Sequence, residues 1–283
     1  MAPPKKNVEL HSRDFEWEEL ARVCREQIES SSTSGTQCER GDSDSEPRRE
    51  DEAQLAQVAK DKWEVFHQKN NGKVYKPRNY LVKEFPELLT MGKDTVHLLE
   101  LGCGYGSAVF PILDECSRVK AQVCDFSAHA IGILQQNPLY DTTRCRAFVC
   151  DIAQEELSGV APGSIDIVLM VFVLSALPPA SFATTLKKVF DALRPGGIVC
   201  FRDYGLYDLA MMRNAKMLST SLYYRSDGTL AYFFSREDII EYFECQSGFV
   251  ALENEYCTVR LTNRKKNVVM DRVWLHAKFQ KPL

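Results

Sequence analysis

Residues His97-Leu-Leu-Glu-Leu-Gly-Cys-Gly-Tyr-Gly106 constrain this chain more than any other stretch. An apolar run of strand length carries an acid near its end, Glu100, and then turns through Gly102, Gly104 and Gly106, each separated by one residue. Glycine lets a backbone turn sharply and approach a ligand without a Cβ in the way. Dinucleotide folds prefer G-x-G-x-x-G, with pyrophosphate on a helix N-terminus. The tighter G-x-G-x-G spacing suits a ligand without phosphate.

Two more acids stand at strand ends. In Val123-Cys-Asp-Phe-Ser127, Asp125 is placed to accept from both hydroxyls of a ribose, and Ser127 is placed to cap the next helix. In Phe148-Val-Cys-Asp-Ile152, Asp151 is placed to accept from an adenine amino group while Ile152 packs on the ring. Ligands of open α/β sheets bind outside the carboxyl ends of the strands, where all three signals fall.

From Thr95 onward, short apolar runs alternate with helical segments, the rhythm of βαβ units. Strands are expected near 96–101, 120–124, 146–149, 165–170 and 198–201, with two more near 250–256 and 273–279. Helices are expected at 107–115, 127–136, 180–193 and 236–245. Arg194-Pro-Gly-Gly197 reads as a tight turn feeding the fifth strand, and Asp227-Gly228 as a hairpin turn between aromatic strands. The predicted fold class is α/β: a Rossmann-like, doubly wound, mostly parallel seven-stranded sheet with an N-terminal helical extension.

Residues 1–53 read as that extension. Phe15, Trp17, Leu20, Val23 and Cys24 have helical spacing, whereas 29–52 are Ser-, Gly-, Glu- and Arg-rich and too apolar-poor to repay the entropy of ordering. Residues 54–94 read as a helical cap with a helix from Leu55 to Phe66, and 95–283 as the catalytic domain. No apolar run spans a bilayer and no secretory leader is evident, which predicts a cytoplasmic protein with nuclear access open and no membrane partner. The 10 cysteines include no CxxC pair, and the five histidines lack ligand spacing, so no metal is expected. The net charge of −4 resides in the N-terminus: residues 1–60 hold 9 of the 35 Lys and Arg and 14 of the 39 Asp and Glu, leaving 26 against 25. A near-neutral body leaves RNA binding to local basic patches.

The runs LLELGCGYGSAVFPIL, VCDFSAHAIGILQQNPLYDTTRCRAFVCDI, VFVLSAL and FRDYGLYD, together with the helix carrying Trp63, resemble the methyltransferase-like family that makes 3-methylcytidine in the anticodon loop of transfer RNA. The resemblance covers roughly Gln54 to Pro282. It implies the class I methyltransferase fold, S-adenosyl-L-methionine as cofactor, and cofactor contacts at Trp63, Gly102, Asp125, Asp151, Ile152 and Val171; Gly104 joins them from the loop geometry. The family commonly has Tyr four residues after the tryptophan, and this chain has His67 there. The implied partner is tRNA, and members differ in whether a presenting protein such as an aminoacyl-tRNA synthetase is required.

Neutral cytosine carries a lone pair on N3, so methyl transfer demands alignment rather than prior proton removal. Asp203, at the end of the fifth strand, is the expected base-holding acid, and Tyr204 the residue that stacks on or bonds the base. A loop base must be splayed out to expose N3, and aromatic and Arg side chains suit holding it. Candidates are Tyr75, Lys76, Arg78 and Tyr80 in one loop, and Arg260, Arg264, Lys265, Lys266 and Arg272 near the C-terminus. The same fold acting on a protein or small molecule is the competing reading; a non-catalytic partner protein and a nicotinamide dehydrogenase fit less well.

Overall fold

The computed structural model describes residues 13–34, 49–72, 76–92, 94–213, 216–225, 227–263 and 268–283. Helices α1 (Trp17–Ser34), α2 (Arg49–Asn70), α3 (Leu81–Glu84) and α4 (Glu87–Thr90) precede β1 (Val96–Leu101). Then come α5 (Val109–Glu115), β2 (Val119–Asp125), α6 (Ala128–Gln135), β3 (Cys145–Val149), β4 (Ile165–Val171), α7 (Phe182–Ala192), β5 (Leu193–Tyr204) and α8 (Leu209–Met212). A small antiparallel sheet follows, of β6 (Lys216–Met217), β7 (Leu222–Tyr224) and β8 (Leu230–Tyr232). Helix α9 (Arg236–Ile240) runs on through a π turn (Glu241–Cys245), and β9 (Val250–Asn263) and β10 (Val268–Gln280) close the chain.

The main sheet has seven strands in the order β3-β2-β1-β4-β5-β10-β9. The first five pair parallel, and β10 enters antiparallel between β5 and β9. Parallel strands covered on both faces need no polar alternation. Thus Leu98, Ile167, Leu169, Ile198 and Cys200 pack into one core layer, while Leu99, Leu101, Val168, Met170, Val199 and Phe201 pack into the other. Ser127 caps α6, its Oγ accepting from the Ala130 N–H at 3.1 Å. Because β1 leads outward to β2 and β3 while β4 starts the other half, the crevice between β1 and β4 is where a ligand fits.

Two details depart from the sequence reading. Segment 29–52 is helical at both ends, since α1 runs to Ser34 and α2 starts at Arg49; residues 35–48 lie outside the described residues. Arg49, Glu50 and Glu52 are good helix formers, which reasoning from apolar content overlooked, whereas 30–34 only extend a helix already begun at Trp17. Residues 194–197 form the start of β5 rather than a free turn, because the Gly196 N–H donates to the Lys281 carbonyl and the Lys281 N–H to that of Gly197, both at 2.9 Å.

The N-terminal helix docks on the body. Ahead of α1, Asp14 N–H donates to the Thr258 carbonyl at 3.0 Å and Thr258 Oγ1 donates to the Phe15 carbonyl at 2.6 Å, which covers part of the β9 edge. The Trp17 ring stacks on Tyr256 at 4.4 Å, and its Nε1 donates to the Leu206 carbonyl at 3.2 Å. Ala21 and Cys24 are buried, so the apolar face is occupied by the protein itself. Among the described residues no helix is long and apolar enough to cross a membrane, and no disulfide links the nine described cysteines.

Candidate active site

A cleft of about 1190 Å³, counted to its open mouth, lies at the carboxyl ends of the parallel strands. Gly102 and Gly104 after β1, Asp125 and Phe126 at the end of β2, Asp151 and Ile152 after β3, and Val171 to Val173 at the end of β4 all line it. Gly102 has φ +64°, and a Cβ there would stand 2.4 Å from Val173 Cγ2. Gly102→Ala therefore combines left-handed strain with overpacking, about 2–4 kcal/mol together. The expected result is a lower unfolding midpoint in urea and weakened cofactor-product binding; an unchanged midpoint would mean that the loop has room to shift.

The three acids differ in environment. Asp125 is buried, and its Oδ2 accepts from the Gly104 N–H at 2.9 Å while Oδ1 accepts from the Ser127 N–H at 3.0 Å. Burial raises its pKa, opposed by the nearby His67 and these two N–H donors. Asp151 accepts from Lys60 Nζ at 2.9 Å and from the Ala153 N–H at 3.1 Å. Glu100 is buried and one of its oxygens has no partner in the protein. Burial pushes its carboxyl up from 4.5 to about 8.

That shift makes a signed prediction. Between pH 4.5 and 8 the unfolded chain gives up the Glu100 proton while the folded chain keeps it, so stability falls as pH rises. Glu100→Gln removes this contribution. Measured without cofactor, the variant should gain on the parent by up to ~3–5 kcal/mol between pH 5 and pH 9. Parallel pH profiles for the two proteins would rule it out.

Helix α2 forms the opposite wall with Ala59, Lys60, Trp63 and His67. The buried His67 ring meets Tyr105 edge-on at 5.2 Å, with Nε2 3.9 Å from Asp125 Oδ1. Burial lowers its pKa more than Asp125 raises it. Trp63 Nε1 and His67 Nδ1 are buried without partners in the protein, as Glu100 Oε2 is. These unmatched polar atoms, ringed by Gly102, Asp125, Asp151 and Ile152, fit an adenosine-bearing ligand whose own polar groups satisfy them.

The outer part of the cleft is aromatic and cationic. Phe172, held at φ +57°, lies with its ring 5.0 Å from that of Tyr204, and the Arg78 guanidinium sits 5.3 Å from the Phe172 centroid. Arg78 Nη1 also donates to the Val171 carbonyl at 3.2 Å. Arg225, from the turn between β7 and β8, completes the mouth. Sequence reasoning missed Lys60, Phe172 and Arg225. For Lys60 the signal was its helical spacing from Trp63; Phe172 and Arg225 carry none, since only the sheet order and a distant hairpin bring them in.

Several expected contacts lie elsewhere. Asp203 has no exposed surface and does not line the cleft: it sits one layer behind, accepting from the Ser175 N–H at 3.0 Å and the Tyr204 N–H at 2.9 Å. Burial raises its pKa to about 6 against these donors. It reaches the site through Ser175 and Tyr204, which do line it, and that corrects the expectation of a base-facing carboxylate. Tyr80 packs against the core, its ring 5.2 Å from the Arg202 guanidinium, so it is no open RNA contact. Arg272 donates to the fully buried Asp208 at 2.8 Å, and Arg260 forms two bonds to Asp271 at 2.7 and 3.2 Å. Carboxylates occupy both guanidiniums, and neither side chain lines the cleft. Lys76 is exposed outside it; Tyr75, Arg264, Lys265 and Lys266 lie outside the described residues.

A family profile described as a methyltransferase domain matches residues 99–199. The human tRNA N(3)-cytidine methyltransferase METTL6 is 39% identical over 234 residues, covering 81% of this chain and 82% of the relative. The chain belongs to this methyltransferase family. Another relative, the tRNA N(3)-methylcytidine methyltransferase of Schizosaccharomyces pombe, is 39% identical over 227 residues, 77% of this chain and 73% of its own. Family likeness is not confined to proteins so named: an O-methyltransferase of Dictyostelium discoideum is 41% identical over 212 residues, 73% of this chain but 48% of that one. Among solved structures, an S-adenosylmethionine-dependent methyltransferase of Methanosarcina mazei shares the fold at TM-score 0.51 and 18% identity, over 69% of this chain and 96% of that one. A Burkholderia thailandensis N1-methyltransferase with bound S-adenosylhomocysteine does so at TM-score 0.51 and 14% identity, over 86% and 94%. The family's sheet thus accounts for the order found in this chain.

Proposed function

We propose that this protein transfers the methyl group of S-adenosylmethionine to N3 of a cytidine in the anticodon loop of tRNA, acting in the cytoplasm. The observation that carries the reading is the near-40% identity to tRNA N(3)-cytidine methyltransferases along most of both chains, joined to a cleft with one end lined by the glycine loop and acids and the other aromatic and cationic. S-adenosylmethionine supplies an electrophilic methyl carbon on a sulfonium. Trp63, His67, Gly102, Gly104, Asp125, Asp151, Ile152 and Val171 would hold it, with Asp125 toward the ribose and Asp151, braced by Lys60, toward the adenine.

At the other end, the Phe172 ring and Arg78 offer a surface on which a splayed base can stack, with the Tyr204 phenol at its edge. Cytosine N3 is already a lone-pair donor, so these residues need only align it. Methylation leaves the ring cationic, and the aromatic face of Phe172 favours a cation against it. Asp203 fixes the Tyr204 backbone from behind.

Incubation with labelled S-adenosylmethionine and total tRNA from cells lacking the protein, followed by nucleoside mass spectrometry, tests this reading. New 3-methylcytidine is expected. Cofactor binding without nucleoside change, even after cell extract is added to supply a presenting partner such as a synthetase, would overturn it in favour of a protein or small-molecule acceptor. RNA binding should also weaken steeply with salt.

A further inference from the structure

Arg225 belongs to neither half of the sheet, yet its side chain is fixed on three sides at the mouth of the cleft. Its Nε and Nη2 donate to Thr229 Oγ1 at 2.8 and 2.6 Å, and Thr229, itself fully buried, is oriented by donating to Asp227 Oδ1 at 2.5 Å. The guanidinium carbon stands 5.1 Å from the Trp63 ring centroid. The remaining arm, Nη1, donates to the Tyr204 phenol oxygen at 3.1 Å. Arg272, anchored on Asp208, is a second cation acting on Tyr204.

A phenol oxygen that accepts from a fixed guanidinium has its lone pairs turned toward that cation, and its O–H is the polar function left to offer the cleft. We infer that Arg225 is a positioning residue that fixes Tyr204 as a hydrogen-bond donor toward the substrate. Tyr204 then favours an acceptor beside the reacting atom. On cytosine that acceptor is the O2 carbonyl, next to N3, whereas an exocyclic amine in its place would meet a second donor and be repelled. The small β6–β8 sheet thereby sets substrate polarity although it lies outside the cofactor fold. This inference rests on the proposed reaction and refines it.

The test is a double-mutant cycle on the full chain at saturating tRNA. Arg225→Met removes the donor, Thr229→Val leaves the arginine but frees it, and Tyr204→Phe removes the phenol oxygen. Each should lower kcat roughly ten- to a hundredfold, the range for a hydrogen bond to a charged group, while affinity for S-adenosylhomocysteine changes less than about threefold. Arg225→Met combined with Tyr204→Phe should be no slower than Tyr204→Phe alone. Multiplying losses, or Arg225→Met at parental kcat, would overturn the inference. Ultraviolet resonance Raman provides a readout independent of turnover: the tyrosine doublet isolated by subtracting the Tyr204→Phe spectrum should change in both Arg225→Met and Thr229→Val. If the parent makes no 3-methylcytidine, the proposed function falls, and the Raman comparison still decides whether Arg225 controls the phenol.

Discussion

Asp125→Ala is expected to weaken binding of S-adenosylhomocysteine by at least about a hundredfold and to reduce methyl transfer to background. The buried carboxylate does three jobs from one position. It holds the Gly104 N–H, and with it the second turn of the glycine loop; it holds the Ser127 N–H at the start of α6; and it lies within 3.9 Å of His67 on α2. Truncation leaves two buried N–H groups unpaired, at about 1–3 kcal/mol each, besides removing the acceptor proposed to face the ribose. Roughly 3 kcal/mol in binding is about a hundredfold in Kd. Asp125→Asn separates the contributions, because an amide retains one acceptor but turns a donor toward one of the two N–H groups. Calorimetry gives the answer directly, and a loss under tenfold would mean that the glycine loop holds its shape without this acid.

Glu84→Ala is expected to cost about 3–5 kcal/mol of stability, because it removes one partner of a buried ion pair and strands the other. Glu84 and Arg202 are both buried; their carboxylate and guanidinium are hydrogen-bonded, and Glu84 Oε1 also lies 3.1 Å from His276 Nδ1. Arg202 is sandwiched between Tyr80 and Trp274, at 5.2 and 4.7 Å, so a lone charge there has no route to water through its faces. On a domain of this size the loss corresponds to a fall of about 10 °C in Tm. Glu84→Leu combined with Arg202→Met should recover most of it, since an apolar pair carries no desolvation cost. A single-variant loss below about 1 kcal/mol would show that water reaches Arg202. The pair also ties the short helices α3 and α4, beside Arg78, to the strand that ends in Tyr204, so the weakened variant should lose activity below its unfolding temperature.

What could be read from sequence follows from the range of the forces involved. The glycine loop, the acids at the ends of β2 and β3, the seven strands and the Ser127 cap are local: each is dictated by backbone conformation, side-chain period or a cap within a few residues. Those readings required no knowledge of what lies opposite. Residues 49–52 read as linker because apolar content outweighed helix propensity, and 29–34 because a helix begun at Trp17 runs on through Ser and Thr that would not start one.

The fate of the polar side chains was decided only by tertiary structure. Asp203, Arg260 and Arg272 look alike in sequence, as charged residues within strand-forming runs. Asp203 is placed behind the wall because residues alternate along β5 and its neighbours are Ser175 and the Tyr204 N–H. Arg272 is neutralised by Asp208, 64 residues away. Arg225 enters the cleft only because a second small sheet folds back over Trp63 and Tyr204. A buried charge must find a partner wherever the fold can supply one, and that partner is set by the packing of the whole chain. The sequence alone therefore determined the sheet and the cofactor-facing loop, while the closed packing of distant segments decided which cations and acids face the substrate.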